Sequence, residues 1–293
     1  MMTVFTIPKA FKGHIDVIQR NAIASWTLLN PRPEIVLFGN DEGTDRAARE
    51  LGVAHEPNLA TNKYGTPLFG DVFRKAQARS ASDLMCYVNA DILLTTKLME
   101  AIRKAGERFP QFLGVSERIN LNITKPIDFS KDWEGSLEER CRREGTLGGP
   151  TCIDVFVFKK GMYPDVPDFA IGRLWFDHWL IKAVSVAGLP IVDMSRVAPV
   201  IHQNHDYNHI PGGAEWVWKG EEAETNFKLY GGGRLSYTLS NITHELQPGG
   251  GIRRVFFRKE WLAAKNFVWE MVVHRTHGIR SKLGLSRTPA RNA

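Results

Sequence analysis

The segment that most constrains the fold is residues 84–94, LMCYVNADILL, an apolar run of strand length interrupted by one polar triplet. A run with almost no polar alternation is typical of a strand covered on both faces, as in the parallel sheets of α/β proteins. Ligands of such sheets gather at the carboxyl ends of the strands. Asp91 lies at that end, whereas Thr95 or Thr96 is better placed to cap the next helix. We therefore interpret Asp91 as a functional candidate, with helix capping as the alternative.

Strand-like and helix-like hydrophobic patterns alternate along most of the chain. Over residues 13–29, for example, apolar residues recur at spacings of three and four, which predicts a helix with one buried stripe. Residues 118–150 show no sustained period. The alternation is typical of an α/β fold with a mostly parallel sheet. Strands are predicted over 4–7, 34–38, 84–94, 112–115, 153–158 and 197–201, and helices over 13–29, 44–52, 68–76, 97–109 and 176–187.

The composition fits a globular domain and excludes several classes of protein. With 293 residues and 43% hydrophobic content, the chain has ample apolar material for a core. Three cysteines, Cys86, Cys141 and Cys152, are too few and too scattered for a disulfide framework or a zinc ribbon. The chain opens directly on a predicted strand, and no run reaches the roughly 20 apolar residues of a membrane span. We therefore expect a cytoplasmic protein.

Positive charge is concentrated at the C-terminus. Residues 252–293 carry ten of the 38 Lys and Arg and two of the 32 Asp and Glu, which leaves 28 and 30 for the rest. Residues 247–251, QPGGG, suggest a linker between a main domain over 1–246 and a basic tail over 252–293. Aromatic residues among the cations predict an amphipathic helix that attaches peripherally to an anionic membrane, at its inner face. Docking on the main domain is the alternative, and nucleic acid is not an expected partner.

The order of the polar segments resembles that of a known enzyme family. In chain order they are a strand at 4–7, Asn40-Asp41-Glu42, Tyr64-Gly65-Thr66-Pro67, Asn89-Ala90-Asp91 and Ile201-His202-Gln203-Asn204-His205-Asp206. This series resembles the GT-A fold glycosyltransferases, close to the family 2 group, over about residues 3–245. The resemblance implies a GT-A-like, mostly parallel sheet flanked by helices, and an Asp-x-Asp motif that holds a divalent cation on a nucleotide sugar. Asn89 stands at the first acidic position of that motif, which leaves one carboxylate instead of two.

The resemblance implies a metal site on Asp91. In the family a histidine or acidic residue from a strand late in the chain often completes the site. His202, which follows the predicted strand 197–201, is best placed for this role, and His205 is the second choice. A nitrogen ligand beside an oxygen ligand favours Mn²⁺ over Mg²⁺ in affinity. A neutral structural histidine is the alternative for His202, and zinc hydrolysis with Asp206 as a third ligand is disfavoured because the His-Glu-x-x-His spacing is absent. Replacement of Asn89 by Asp is expected to be tolerated or to tighten metal binding.

Asp177 is the candidate catalytic base. It lies in the first turns of the predicted helix 176–187 and off its apolar stripe, where the helix dipole favours the ionised form. In inverting members of the family an acidic residue at the start of this helix is the base for the acceptor, and Asp177 matches that place. Stabilisation of the helix dipole is the alternative. Asp154, Trp175 and His205 are candidates for contacts with the acceptor or the donor sugar.

For the nucleotide, the resemblance implies Asp41, because in the family an acidic residue after the second strand accepts a hydrogen bond from the uracil ring. An ordinary turn aspartate is the alternative. A UDP-sugar is therefore the favoured donor. Further candidates for binding the nucleotide sugar are Pro8, Lys9, Tyr64, Gly65 and Asn89.

The motifs also separate the functional classes. Hydride transfer on a nicotinamide requires Gly-x-Gly-x-x-Gly after the first strand, and residues 6–11, TIPKAF, lack it. A sugar-phosphate nucleotidyltransferase should carry a glycine-rich, basic loop at the same place, which is absent as well. The sequence instead indicates a metal-dependent glycosyltransferase, inverting, that serves a glycan or lipid-linked hydroxyl acceptor in cell-envelope or surface glycan synthesis. The alternative is a catalytically inactive nucleotide-sugar-binding or scaffold protein of the same fold.

Overall fold

The computed structural model describes residues 1–205, 220–232 and 236–255. The strands are Met2–Thr6 (β1), Glu34–Phe38 (β2), Ala54–Glu56 (β3), Leu84–Val88 (β4), Ile92–Leu93 (β5), Leu113–Leu121 (β6), Thr146–Leu147 (β7), Ile153–Lys159 (β8), Ile191–Asp193 (β9), Val200–Gln203 (β10), His244–Leu246 (β11) and Ile252–Arg254 (β12). The helices are Gly13–Thr27 (α1), Thr44–Leu51 (α2), Phe69–Arg79 (α3), Lys97–Arg108 (α4), Trp133–Glu144 (α5), Phe176–Val186 (α6) and Glu221–Leu229 (α7).

One mixed sheet organises these elements, in the order β12-β11-β9-β6-β8-β4-β1-β2-β3. β1 is parallel to β2 and β4, and β2 is parallel to β3. β9 is parallel to β6 and β11, whereas β8 is antiparallel to both β4 and β6. β10 lies beside this path, parallel to β6 and antiparallel to β5. The predicted α/β class is therefore confirmed, with the antiparallel β8 at the centre of the sheet.

The sheet has a hydrophobic core on each face, which accounts for the apolar runs in its strands. In β1, Val4 packs in the core that contains residues of α1, α2 and α4, whereas Phe5 packs in the aromatic core that contains residues of α3 and α6. Helix α1 also fixes the chain near the polar triplet. The indole of Trp26 donates a hydrogen bond to the Ile92 carbonyl at 2.8 Å, and Ser25 Oγ accepts one from the Leu94 amide at 3.1 Å.

Several predicted boundaries are wrong, each for a local reason. The predicted strand 84–94 is two strands, because the chain turns after Val88 and an N–H···O bond joins Ile92 to Asn89 at 3.2 Å. The last predicted strand, 197–201, begins three residues later, at Val200. Residues 118–150 contain the end of β6, all of α5 and β7. Helix α5 has a single buried residue, Leu137, so its apolar period is too weak to detect.

Residues 247–251, predicted as a linker, form the turn of a hairpin. The Gln247 amide donates to the Gly251 carbonyl at 2.8 Å, and β11 and β12 pair antiparallel on either side. Residues 252–254 therefore belong to the sheet rather than to a separate tail. The rest of the predicted tail, residues 256–293, lies outside the described residues. Within the described residues, none of the helices has the length and apolar character needed to span a membrane.

Candidate functional site

Three potential metal ligands meet at the carboxyl edge of the sheet. Asp91 follows β4, and His202 lies on β10 opposite Ile92 of β5. Asp91 Oδ2 lies 3.0 Å from His205 Nε2 and 3.9 Å from His202 Nε2. One ligand atom from each of the three residues lies within 4.8 Å of the other two. The structure thus brings together the two predicted metal ligands and the reserve histidine, while Asp206 lies outside the described residues.

Lys9 adds a cation to this cluster from the loop after β1. Its Nζ lies 3.4 Å from His205 Nε2. Burial lowers the pKa of Lys9, against the attraction of Asp91 and Asp154, and burial likewise lowers the pKa of His202. Burial alone would raise the pKa of Asp91, but the hydrogen bond to His205 and the neighbouring cations outweigh it and hold that pKa well below its usual range. Asp91 is therefore an ionised carboxylate at neutral pH.

Asn89 belongs to a second network, centred on Asp154. Asn89 Nδ2 donates to Asp154 Oδ1 at 2.6 Å, and Asn89 Oδ1 accepts from the Tyr87 hydroxyl at 3.1 Å. Arg118 holds the other carboxylate oxygen of Asp154 at 2.9 Å, and these two side chains are 22% and 9% exposed. Burial raises the pKa of Asp154, although Arg118 opposes the shift. An aspartate at position 89 would face the Asp154 carboxylate, so we now expect Asn89→Asp to be destabilising rather than tolerated.

Four buried polar atoms of this region have no hydrogen-bond partner among the described residues: Asp91 Oδ1, His202 Nδ1, Arg118 Nε and Asn120 Oδ1. The remaining such atoms in the described part of the chain are three hydroxyls, of Thr6, Thr44 and Ser240. A buried polar atom without a partner costs about 1–3 kcal/mol. These four unpartnered atoms belong to a carboxylate, an imidazole, a guanidinium and an amide group of the same region. Their presence fits a site in which a polar ligand supplies the missing partners.

Asp177, the predicted base, lies half-buried in the first turn of α6. Its Oδ1 accepts a hydrogen bond from the His178 amide at 2.9 Å. Burial raises the pKa of Tyr87, and the charges of Asp154, Asp91 and Asp177 raise it further. All three carboxylates therefore act electrostatically on the phenol of Tyr87. Asp177 thus shares this neighbour with Asp91 and Asp154.

Trp175, a predicted sugar contact, directly precedes α6 in a strained conformation. Its φ of 90° is in the left-handed region, and Trp175 is the one non-glycine residue of the described chain with a positive φ. Its ring packs against Phe227 and Tyr230, with centroid separations of 4.9 and 5.1 Å. Such strain persists where surrounding contacts over-determine it, and it clusters at functional sites. The strained turn sets the direction in which α6, and with it Asp177, begins.

Helix α7 provides the contacts that hold this turn. Asn226 Nδ2 donates to the Leu174 carbonyl at 2.9 Å. Glu222, which is 2% exposed, accepts from Arg173 at 2.7 Å and from Asn62 at 2.6 Å. One helix therefore connects the segment before Asp177 with the loop that contains the predicted nucleotide-sugar contacts Tyr64 and Gly65.

The predicted nucleotide contacts lie on three loops after β1, β2 and β3. Pro8 is buried and precedes Lys9, which reaches the metal-ligand cluster. Asp41 is exposed in a turn before α2, although enough protein surrounds its carboxylate to raise the pKa. Tyr64 is 45% exposed and donates its hydroxyl proton to Glu221 of α7, and Gly65 has a φ of 79°. Contact of Asp41, Tyr64 and Gly65 with a nucleotide stays a prediction.

Sequence reasoning missed Arg118, Asn120 and Tyr87. Tyr87 lies inside the apolar run of β4, where nothing distinguishes it from a core aromatic. Arg118 and Asn120 alternate with Ile119 and Leu121 at the end of β6, and this polar–apolar alternation is the one signal that could have indicated a half-buried strand. Their approach to β8 and β10 depends on pairing between distant segments, which no local pattern reveals.

Comparison with known proteins returns distant structural similarity. No protein-family model matches the chain, and no curated protein matches it. Among solved structures, a fragment of S. aureus TarS in complex with UDP-GlcNAc has 9% identity and a TM-score of 0.47, over 71% of this chain and 60% of that one. The chain thus spans about three fifths of the TarS fragment.

Two further solved structures are similar to a comparable degree. Glucosyl-3-phosphoglycerate synthase from Mycobacterium tuberculosis, in complex with Mg²⁺ and UDP, has 12% identity and a TM-score of 0.45, over 80% of each chain. A mannosyltransferase from Pyrobaculum calidifontis, in complex with GDP-Man and Mn²⁺, has 13% identity and a TM-score of 0.45, over 71% of this chain and 58% of that one. At these identities and TM-scores the similarity carries no argument about activity, which depends on the site itself.

Proposed function

We propose that the protein is a metal-dependent glycosyltransferase that moves a sugar from a nucleoside-diphosphate donor to a hydroxyl group. The observation that carries the proposal is the convergence of Asp91, His202 and His205, with Lys9 beside them, at the carboxyl edge of the sheet. In α/β sheets this edge is where ligands bind. An ionised carboxylate, two imidazoles and an ammonium group together suit a metal ion and the phosphate groups that it would accompany.

The donor atoms fit a divalent cation. One oxygen and two nitrogen ligands can come from Asp91, His202 and His205, and Asp91 Oδ1 has no partner among the described residues. Two nitrogen ligands favour Mn²⁺ over Mg²⁺ in affinity, while supply decides which is bound in the cell. Asp91, His202 and His205 would hold such a cation, which would supply positive charge to neutralise the diphosphate leaving group.

The charge balance of the protein groups supports this assignment. Asp91 and Asp154 bring two carboxyl groups to the site, and Lys9 and Arg118 bring an amine and a guanidinium group, so the acidic and basic side chains are equal in number. A divalent cation would then match the charge of the diphosphate of a nucleotide sugar. Lys9 and Arg118 would lie close enough to assist in binding phosphate or sugar oxygens.

The residues around the metal site supply the remaining roles. Asp177, in the first turn of α6, would accept the proton of the attacking hydroxyl, which corresponds to an inverting transfer. Asp154, held by Asn89 and Arg118, presents a fixed carboxylate to a sugar hydroxyl. Trp175 offers a ring for stacking on the acceptor or donor sugar.

The ligands outside this centre follow from the remaining predictions. The donor is a UDP-sugar, with Asp41, Pro8, Tyr64 and Gly65 on the nucleotide. The acceptor is a glycan or a lipid-linked hydroxyl. The basic residues that follow the β11–β12 hairpin would bring the enzyme to an anionic membrane surface, at its cytoplasmic face, and the transferase domain would extend through that hairpin to residue 254.

A nucleotide-sugar-binding protein without catalytic activity is the second candidate, because Asn89 replaces the first acid of the motif. Incubation with a panel of nucleotide sugars, with and without Mn²⁺, separates the two. A transferase releases the nucleoside diphosphate slowly by donor hydrolysis even without acceptor, whereas a binding protein is stabilised by the donor without turnover. Absence of both binding and hydrolysis across UDP-, GDP- and dTDP-sugars would contradict the proposed function.

A further inference from the structure

Two of the unpartnered buried atoms lie on neighbouring residues of adjacent strands. His202 of β10 is in register with Asn120 of β6. Paired residues of adjacent strands point to the same face of a sheet and lie about 5 Å apart. His202 Nδ1 and Asn120 Oδ1 are both buried, and neither has a hydrogen-bond partner among the described residues.

The alternation of β6 and β10 shows which face this pair occupies. Leu121 and Ile201, the neighbours of Asn120 and His202 in sequence, pack together in a separate apolar cluster on the opposite face. Arg118, two residues before Asn120 and on its face, binds Asp154. Asn120 therefore lies on the side of the sheet that carries the candidate metal site.

The two atoms are chemically complementary. His202 Nε2 is the ring nitrogen that faces Asp91, at 3.9 Å from its Oδ2. If Nε2 offers its lone pair to a metal ion, the single proton of the neutral ring resides on Nδ1, which becomes a donor, whereas Asn120 Oδ1 can only accept. Among the described residues, Arg118 Nε is also an unpartnered donor on this face, but Nη1 of the same guanidinium already donates to Asp154.

We propose that Asn120 is a positioning residue for the metal site. Its Oδ1 accepts the Nδ1 proton of His202, directly or through one water molecule, and thereby fixes the tautomer in which Nε2 faces the metal ion. The inference rests on the proposed function for the identity of the site. Metal-bound histidines usually donate their other N–H to such an acceptor, and loss of that acceptor typically weakens metal binding by 10–100-fold.

The test compares three substitutions of Asn120 by their affinity for Mn²⁺, measured from the electron paramagnetic resonance signal of the free ion. Asn120→Leu and the smaller Asn120→Ala remove the acceptor and should weaken Mn²⁺ binding by roughly 10–100-fold. Asn120→Asp keeps an acceptor at the same place and should retain or exceed the wild-type affinity. Urea unfolding without metal provides the second readout. Asn120→Leu should be as stable as the wild type or more so, because it removes a buried acceptor that has no partner.

The outcomes separate this inference from the proposed function. Wild-type Mn²⁺ affinity in both Asn120→Leu and Asn120→Ala would overturn the role of Asn120 and leave the metal site intact. Loss of stability without metal in both variants, in proportion to the loss of affinity, would show a purely structural role and overturn it too. A wild-type chain that binds no Mn²⁺ would contradict the metal site of the proposed function and this inference with it.

Discussion

Substitution of Asn89 by Asp should destabilise the protein instead of restoring a second metal ligand. Asn89 Nδ2 donates to Asp154 Oδ1 at 2.6 Å, so an aspartate would lose this hydrogen bond and bring two mutually repelling carboxylates into contact. Even if the side chains separate to about 4 Å, two unit charges repel by about 4 kcal/mol at an effective dielectric constant of 20. Arg118 offsets part of this repulsion. We expect a loss of roughly 2–3 kcal/mol in the free energy of unfolding at pH 8.

The size of the defect should depend on pH. Two adjacent carboxylates share a proton, so the pKa of one of them rises in the folded state above the unfolded value of about 3.9. Burial already raises the pKa of Asp154. A carboxyl group with a raised folded pKa holds more protons in the native than in the unfolded state, so stability falls as the pH rises through that pKa. The difference between Asn89→Asp and the wild type should therefore be clearly smaller at pH 5 than at pH 8.

Urea unfolding without metal at pH 5 and pH 8 measures both effects. Asn89→Ala is the matched control, because it removes the hydrogen bond without adding a charge and should cost about 1–2 kcal/mol with a smaller pH dependence. An Asn89→Asp protein as stable as the wild type at pH 8 would show that the two carboxylates do not repel each other in the folded state. Tighter binding of Mn²⁺ by Asn89→Asp would also contradict the prediction, since that result would place residue 89 among the metal ligands.

Three further substitutions test other parts of the site. Asp177→Asn keeps the shape of the proposed base, so transfer should fall by roughly a hundredfold or more in initial-rate measurements while donor affinity changes little. Lys9→Met should weaken the affinity for UDP in the presence of Mn²⁺ by about tenfold in calorimetry. Unchanged affinity would show that the Lys9 side chain does not bind the phosphates. Glu222→Gln should lower the free energy of unfolding by roughly 3 kcal/mol in urea, because Arg173 is left buried without its counter-charge. The exposed neighbour Glu221 is the control, and Glu221→Gln should cost less than about 1 kcal/mol.

The main strands and helices were predictable because most of them carry a strong hydrophobic period. The helix predicted over 13–29 is Gly13–Thr27, and the helix predicted over 97–109 is Lys97–Arg108. Asp91 and His202 could be proposed together because each follows or ends an apolar strand. Their approach to within 3.9 Å needed the pairing of β5 with β10, which the sequence does not show.

The remaining features depend on contacts between distant segments. Helix α5 buries one residue, Leu137, and its polar surface hides the period. The hairpin of β11 and β12 resembles a linker in sequence because glycine and proline are typical of both. In sequence, Asn89 stands at the first acidic position of the motif and leaves one carboxylate instead of two. In the structure its amide donates to Asp154, which is 65 residues away in the chain. Buried polar networks of this kind are specified by geometry, so composition and spacing cannot reveal them.

We propose that Asp91 and the two histidines hold a divalent cation on a nucleoside-diphosphate donor. Thermal unfolding of the wild type and of Asp91→Ala, with nucleotide sugars in the presence and absence of Mn²⁺, tests it most directly. A ligand at a hundred times its dissociation constant adds roughly 2.7 kcal/mol of stability. The wild type should gain this stability from a nucleotide sugar when Mn²⁺ is present, and Asp91→Ala should fold but show no such gain. Equal stabilisation of both proteins, or stabilisation that is independent of metal, would contradict a metal site on Asp91.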